Sequence, residues 1–168
     1  MDVIFKRRSI RRFKKQAVEQ EKIERLLKAA MQAPSAVNQQ PWEFIVVQNK
    51  GSLERLAGTS AYSKMVAEAP LAIVLLGNED RMRLQLHWEQ DMAAAAQNIL
   101  LEATHLEMGG VWLGVAPMKD RMDLISEIYG LKSKLRPFCV ISIGYPEEVQ
   151  DHKFVDRYDP SRVHYDKY

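Results

Sequence analysis

The sequence predicts an α+β fold in which helices cover both sides of a central sheet. Helical and strand patterns alternate along the 168 residues, without an internal repeat, a low-complexity tract or a long flexible linker. The 46% of hydrophobic and 27% of charged residues are typical of a globular protein with a substantial core. The length fits a single domain that spans residues 1–168, and the predicted strands are too few for a full doubly wound domain.

Apolar side chains at helical spacing predict the helices. Residues 19–33 follow this spacing, and Pro34 ends the pattern. A longer helix is predicted over 81–108, where Gly109 and Gly110 would end it. Its four alanines at 93–96 lack bulk, so another helix could approach closely there. Shorter helices are predicted over 2–8, 51–58, 63–68 and 118–129.

Runs of branched and aromatic residues predict four strands. The run 71–76 is continuously apolar, which indicates a strand that is buried on both faces. Cys139 is the only cysteine and lies in another run, where we interpret it as a small core residue, with a catalytic thiol as the alternative. The other strands are predicted over 43–48, 111–115 and 136–143.

Charge and hydropathy narrow the class of protein. The formal net charge of +2 gives no global basic field of the kind that a dedicated nucleic-acid binder carries. The longest apolar run, 69–76, contains a proline and is too short to span a bilayer, and the N-terminus lacks the apolar stretch of a signal peptide. A single cysteine fits a reducing compartment. We therefore expect a cytoplasmic protein without a membrane segment.

The segment 6–15 is the most strongly charged part of the chain. Seven of its ten residues are basic and none is acidic. Arginine offers planar, multidentate donors and Ser9 adds a hydroxyl, so one interpretation is a phosphate site. The alternatives are a solvated basic face or a nucleic-acid-binding arm.

Three further segments combine unusual residues with positions where loops are expected. Residues 33–42 hold two prolines and several Asn and Gln side chains, which donate and accept hydrogen bonds as a heterocycle edge requires. Residues 109–117 hold glycines that let the backbone approach a flat ligand. Residues 157–164 could bring a second cation to a phosphate. Taken singly, each also fits an ordinary turn, a buried strand or a solvated terminus.

Other chemistries have no support in the sequence. It contains no HExxH, no CxxC pair, no Walker lysine loop, no GxGxxG fingerprint and no GxSxG elbow. Structural zinc, P-loop, Rossmann and serine-hydrolase chemistry are therefore unsupported.

Together, the unusual segments resemble the nitroreductase family of FMN enzymes. Arg7-Arg8-Ser9-Ile10-Arg11 near the N-terminus is followed by the segment PSAVNQQPW at 34–42. Gly144-Tyr145-Pro146 after the last strand and an arginine-containing tail complete a pattern that covers nearly the whole chain in the family's order.

The resemblance implies a three-layer α/β/α sandwich with a central mixed, mainly antiparallel sheet. It implies FMN as the cofactor, NAD(P)H as the electron donor, and a homodimer with FMN at the interface. Residues 147–168 would form a C-terminal extension that packs on the partner subunit. A small-molecule acceptor such as a nitroaromatic or a quinone would be reduced in a ping-pong sequence, without nucleic acid or a membrane as partner.

The resemblance also implies roles for individual residues. One subunit would hold the phosphate and ribityl region with Arg7, Arg8 and Ser9, and would place Arg11 near the N1–O2 edge of the ring. Arg157 would be the second phosphate cation, with Lys153 and Arg162 as rivals. The other subunit would contribute Pro34, Ser35, Ala36, Asn38 and Gln40. The ring would lie along Gly114, Val115, Ala116 and Pro117, with a nearby backbone N–H facing N5.

No catalytic acid–base residue or metal ligand is expected, because FMN carries the chemistry. Little room is left between Gly58 and Pro70 or after Gly77 for a large lid, and Lys64 could reach toward the ring. Two alternatives stay open at this point: a protein that stores, senses or delivers FMN without reductase activity, and a nucleic-acid-binding domain that uses residues 6–15.

Overall fold

A computed structural model describes residues 3–148 and 154–168. The strands are β1 (Trp42–Val47), β2 (Leu71–Asn78), β3 (Gly109–Gly114) and β4 (Leu135–Gly144). The helices are α1 (Val3–Lys6), α2 (Gln20–Met31), α3 (Lys50–Ala57), α4 (Trp88–His105) and α5 (Lys119–Tyr129). Short 3₁₀ helices lie at Ala36–Asn38, Lys64–Glu68, Glu79–Arg81, Gln85–His87 and Pro160–Arg162.

The four strands form one sheet in the order β1-β2-β4-β3, and each neighbouring pair is antiparallel. A single bridge between Ser9 and Gly110 adds a parallel pairing beside β3. The predicted mixed, mainly antiparallel sheet is therefore confirmed. β1 and β3 form the two edges of the sheet, a point on which the position of the site depends.

Helices cover both faces of the sheet because β2 alternates its side chains between two apolar clusters. On one face, Leu71, Ile73 and Leu75 pack with side chains of α2 and α4. On the other face, Ala72 and Val74 pack with side chains of α3 and α5. The three-layer sandwich is confirmed, and so is the prediction that 71–76 is buried on both faces.

The helix predicted over 81–108 is shorter than expected, because α4 begins only at Trp88. The Leu84 N–H, which a continuous helix would bond within itself, is instead donated to Oε1 of Gln39 at 2.9 Å. At the other end, Glu107 takes a left-handed conformation at φ 60°, and the helix closes with the Met108 N–H on the Ala103 carbonyl. The predicted glycine stop was therefore wrong, since Gly109 and Gly110 belong to β3.

The small residues of α4 pack mainly in the core of their own chain. Ala95 and Ala96 are fully buried, while Ala93 and Ala94 are only partly buried. Close approach of a second chain at this helix therefore stays a prediction that concerns Ala93 and Ala94 alone. Among the described residues, no helix is long and apolar enough to cross a membrane.

Cys139 is a core residue, as predicted. It lies in β4 with no exposed surface, and burial raises the pKa of its thiol well above the usual range. Because the thiolate is the nucleophilic form, this burial argues against the alternative of a catalytic thiol.

Gly110→Ala is expected to lower the free energy of unfolding by about 1–3 kcal/mol, because core overpacking has costs of this size. A Cβ at position 110 would lie 2.8 Å from the Ser142 carbonyl oxygen, a backbone atom that cannot rotate away. Urea denaturation measures the change. Gly114→Ala is the matched control in the same strand, since its Cβ would meet no atom within 4 Å. Equal effects of the two substitutions would contradict the steric explanation.

Candidate cofactor site

The basic segment is fixed along the edge of the sheet. Ser9 bridges Gly110, and the Ile10 N–H is donated to the Gly110 carbonyl at 3.0 Å. The Ile10 side chain is buried against Gly109, where a Cβ would collide with it, while Ser9 and Arg11 stay exposed. The segment is therefore part of the folded domain, and a free nucleic-acid-binding arm is not what the structure shows.

Arg7 and Arg157, the predicted phosphate cations, line the same cavity of about 330 Å³. Phe5 and Phe154 form an edge-to-face contact at 5.4 Å, which holds the tail beside α1. Arg8 also lines this cavity, and its Nη1 donates to the carbonyls of Phe5 and Arg7, so it braces the backbone.

Of the rival tail cations, Arg162 is placed less favourably for a phosphate. Arg162 pairs with Asp159 at 3.1 Å, and Lys153 lies outside the described residues. Within residues 3–148 and 154–168, neither Arg7 nor Arg157 forms an ion pair. Two unpaired guanidinium groups in one cavity are suited to a phosphate dianion.

Arg11 lines a second, larger cavity of about 500 Å³ beside β3. Lys64 lies in the same lining, as the sequence suggested, together with Gly114 and Arg121. The position of a Cβ on Gly114 is open, with no atom within 4 Å. A cavity of this size with an unobstructed backbone edge can take a flat heterocycle.

The predicted ring-contacting segment is anchored to β4 through its backbone. The N–H groups of Val115 and Ala116 both donate to the Phe138 carbonyl, at 3.1 and 2.9 Å. Neither group is therefore available to a ligand. The N-cap residue of α5, Met118, caps none of the first N–H groups with its side chain, so these groups could serve the predicted N5 contact.

The loop 34–40 has a strained backbone. Val37, Asn38 and Gln40 have φ values of 47°, 53° and 47°, in the left-handed region that non-glycine residues rarely occupy. Such strain concentrates at binding sites, where the surrounding structure must hold it. Pro34 and Asn38 are exposed, whereas Ser35 and Ala36 are half-buried.

Asp91 holds this strained loop from within the core. Its side chain is buried, with only 4% of the residue exposed, and its carboxylate accepts hydrogen bonds from the Ala36 N–H at 2.8 Å and from Nε2 of Gln39 at 2.6 Å. The Ser35 hydroxyl accepts the Gln40 N–H at 3.0 Å, and its own proton stays free to donate.

Sequence reasoning missed Asp91 and Gln39. A signal was nevertheless present, because Asp91 occupies a core position in the helical stripe between Trp88 and Ala95. A carboxylate on an apolar stripe indicates a buried polar partner, since burial without one is costly.

The two halves of the predicted site lie at opposite edges of the sheet. The loop 34–40 leads into edge strand β1 and is held at Asp91, near the start of α4. The basic segment follows the opposite edge strand, and Ile10 lines a cavity with His105, the last residue of α4. His105 lies fourteen positions after Asp91 in α4, a rise of roughly 20 Å at 1.5 Å per residue.

The comparisons with known proteins identify the family. The sequence profile of the Nitroreductase family matches residues 4–63 and 57–145. The chain belongs to the nitroreductase family.

Similar proteins support this membership over the full length of the chain. A protein of Methanothermobacter thermautotrophicus named "Putative NADH dehydrogenase/NAD(P)H nitroreductase" is 40% identical over 100% of this chain and 87% of its own. The crystal structure of "Putative NADH Oxidase" from Clostridium acetobutylicum is 55% identical, with a TM-score of 0.95 and 99% coverage of both chains. An "FMN-dependent Nitroreductase" from Clostridium difficile is 34% identical, with a TM-score of 0.90 and 99% coverage of both chains.

Membership confirms the predicted cofactor and donor: the protein is an FMN-dependent oxidoreductase that uses NAD(P)H. The cations and the open backbone edge fit FMN, since the phosphate and the flat ring would each meet a suitable cavity. The roles of individual residues stay predictions.

Asp91→Asn is expected to weaken FMN binding and to lower the free energy of unfolding by about 1–3 kcal/mol, because one buried N–H loses its acceptor. FMN titration and urea denaturation measure the two effects. Glu89→Gln is the matched control. Glu89 is exposed in the same first turn of α4, and its substitution removes the same charge from the helix N-terminus. If both variants lost FMN affinity equally, the helix charge and not the hydrogen bonds to the loop would be responsible.

Proposed function

We propose that this nitroreductase-family protein reduces electron-poor aromatic acceptors, such as nitroaromatics and quinones, by a ping-pong sequence. The observation that carries the proposal is the open cavity beside Gly114, which Arg11 and Lys64 line. The connection 59–70, where a lid could have been inserted, contains only a short 3₁₀ helix, Lys64–Glu68. Because the face is open, donor and acceptor can occupy it in turn.

When bound, FMN supplies the two-electron chemistry, taking a hydride equivalent from NAD(P)H and passing it to the acceptor. For a nitroaromatic the balance of one turnover is ArNO₂ + NAD(P)H + H⁺ → ArNO + NAD(P)⁺ + H₂O. For a quinone, one NAD(P)H and one proton give the hydroquinone and NAD(P)⁺. The protein itself binds, orients and charge-balances these partners.

Different cationic residues would bind the two ends of the cofactor. Arg7 and Arg157 would neutralise the phosphate, with the exposed Ser9 hydroxyl as a further donor and Arg8 as the brace behind them. Arg11 and Lys64 would stabilise negative charge at the N1–O2 edge of the ring. The backbone of Gly114, Val115, Ala116 and Pro117 would support the ring plane.

The partner subunit would supply the second half of each site. Ser35 can donate its hydroxyl proton, and Asn38 and Gln40 offer amide groups, whereas Ala36 would contact the cofactor through its methyl group because Asp91 occupies its N–H. Pro34 would line the same side of the cofactor site. Since the two halves lie at opposite edges of one sheet, a homodimer supplies both to one FMN. Residues 154–168, which are largely exposed, would then pack on the partner, and the cytoplasmic location stays a prediction.

The visible spectrum of the purified protein tests the reaction. We expect flavin bands that NADH or NADPH bleaches without oxygen, and that return when a nitroaromatic is added. Flavin bands that neither nucleotide bleaches would instead favour a protein that stores or senses FMN. A protein without these bands that also fails to take up added FMN would contradict the proposal.

A complementation experiment tests the shared site. Arg7→Ala is expected to weaken FMN binding about tenfold or more, because a charged hydrogen bond is lost. Arg12→Ala is the matched control, since Arg12 is exposed and pairs with Glu148. Ser35→Glu should abolish binding through the other half-site by placing a carboxylate beside the cofactor.

Mixing the Arg7→Ala and Ser35→Glu chains should restore tight FMN binding in a fraction of the sites. In a mixed dimer, one site would carry both defects and the other neither. The readout is tightly bound FMN after unfolding and refolding the chains together, compared with each variant refolded alone. No recovery in verified mixed dimers would show that each site is built from a single chain.

A further inference from the structure

Arg121 has no role in the proposed function, yet it lines the cavity of about 500 Å³ beside β3 together with Arg11 and Lys64. It is the third residue of α5, and its Nη1 donates to the Gly114 carbonyl at 2.9 Å. This bond fixes the guanidinium directly beside the open backbone edge. The remaining N–H groups of the guanidinium are left for a ligand, since arginine carries five.

The cavity has an excess of positive charge. Arg11, Lys64 and Arg121 line it, and the described residues of its lining include no carboxylate. Within residues 3–148 and 154–168, Arg121 forms no ion pair. When bound and reduced, FMN would bring about one negative charge to this cavity, which the three cations exceed. The excess favours a second anion in the same cavity.

The position of Arg121 is unfavourable for the helix alone. A cation in the first turn meets the positive end of the helix dipole, which is destabilising. Met118, which precedes α5, caps none of its first N–H groups with a side chain. The positive potentials of the uncapped N–H groups and of the guanidinium therefore add, and both groups can donate hydrogen bonds to an anionic group.

We propose that Arg121 is a specificity-determining residue that selects acceptors carrying an anionic group, such as an aromatic carboxylate or sulfonate. The carboxylate would bind the fixed guanidinium while the aromatic ring covers the flavin. This proposal rests on the proposed function, because it concerns the acceptor in the same cavity. It assigns to Arg121 a role in choosing the acceptor and none in holding FMN.

Binding of a non-reducible pair of ligands gives a test that is independent of turnover. Benzoate and benzamide have nearly the same shape and differ in charge, and the flavin spectrum of the oxidised protein reports their binding. We expect benzoate to bind about tenfold or more tightly than benzamide, because a charged hydrogen bond is available to it. Arg121→Met should remove this preference, Arg121→Lys should keep part of it, and high salt should weaken it.

Arg55→Met is the matched control. It removes the same charge from an exposed position on α3, in the same helical layer as α5, so it separates net charge from the local effect. Loss of the benzoate preference in both variants would overturn the proposal. Equal binding of benzoate and benzamide to the unaltered protein would overturn it as well.

The two half-reactions separate this proposal from the proposed function. With 4-nitrobenzoate and 4-nitrobenzamide as acceptors, Arg121→Met should slow reoxidation by the anion about tenfold or more and leave reoxidation by the amide unchanged. An effect confined to bleaching by NAD(P)H would place the phosphates of the donor at Arg121 and would overturn the proposal. If NAD(P)H bleaches the flavin normally and both acceptors react equally, the specificity proposal alone fails. If the nucleotides do not bleach it, the proposed function fails.

Discussion

The strand order β1-β2-β4-β3 is the constraint on which the rest of the site depends. It places the loop 34–40 at one edge of the sheet and the basic segment at the other, with α4 between them. The two predicted half-sites therefore lie at opposite edges of one sheet. In the proposed dimer, a second copy of the chain related by a two-fold axis would bring unlike halves together twice, as in an isologous interface. The proposed dimer is therefore consistent with the topology of the sheet.

A different interaction fixes the backbone of each predicted half-site. The basic segment is fixed by the alternation of its side chains, because Ile10 and Phe13 are buried while Ser9 and Arg11 point outward. The loop 34–40 has a strained backbone and depends on the buried Asp91 carboxylate. A buried carboxylate is costly unless hydrogen bonds satisfy it, so the loop and the carboxylate stabilise each other. This mutual stabilisation holds the loop 34–40 in one conformation without a large local hydrophobic core.

Much of the fold could be predicted from the sequence, because the pattern of 71–76 and the helical stripe beginning at Trp88 are local signals. The start of α4 could not be predicted, since the bond from Leu84 to Gln39 depends on residues that are 45 positions apart. In the candidate site, Arg7 and Arg11 belong to a conspicuous basic run, and their roles stay predictions. Asp91 was overlooked because its role appears only when α4 meets the loop, and Arg121 because a single arginine in a helix is an ordinary feature.

The cations of the basic segment are spaced along the backbone in a way that suits one elongated ligand. Arg7 and Arg11 are four residues apart, so their backbones are separated by at most about 14 Å. They line different cavities, one shared with Arg157 and the other with Lys64 and Arg121. The phosphate at one end of such a ligand carries a constant negative charge that needs constant neutralisation. The redox-active ring at the other end gains negative charge only when it is reduced, so it needs positive charge that is not already neutralised. In the proposed arrangement, the surplus charge at Arg121 would lie at the ring end, where the charge would change during turnover and where an acceptor would bind.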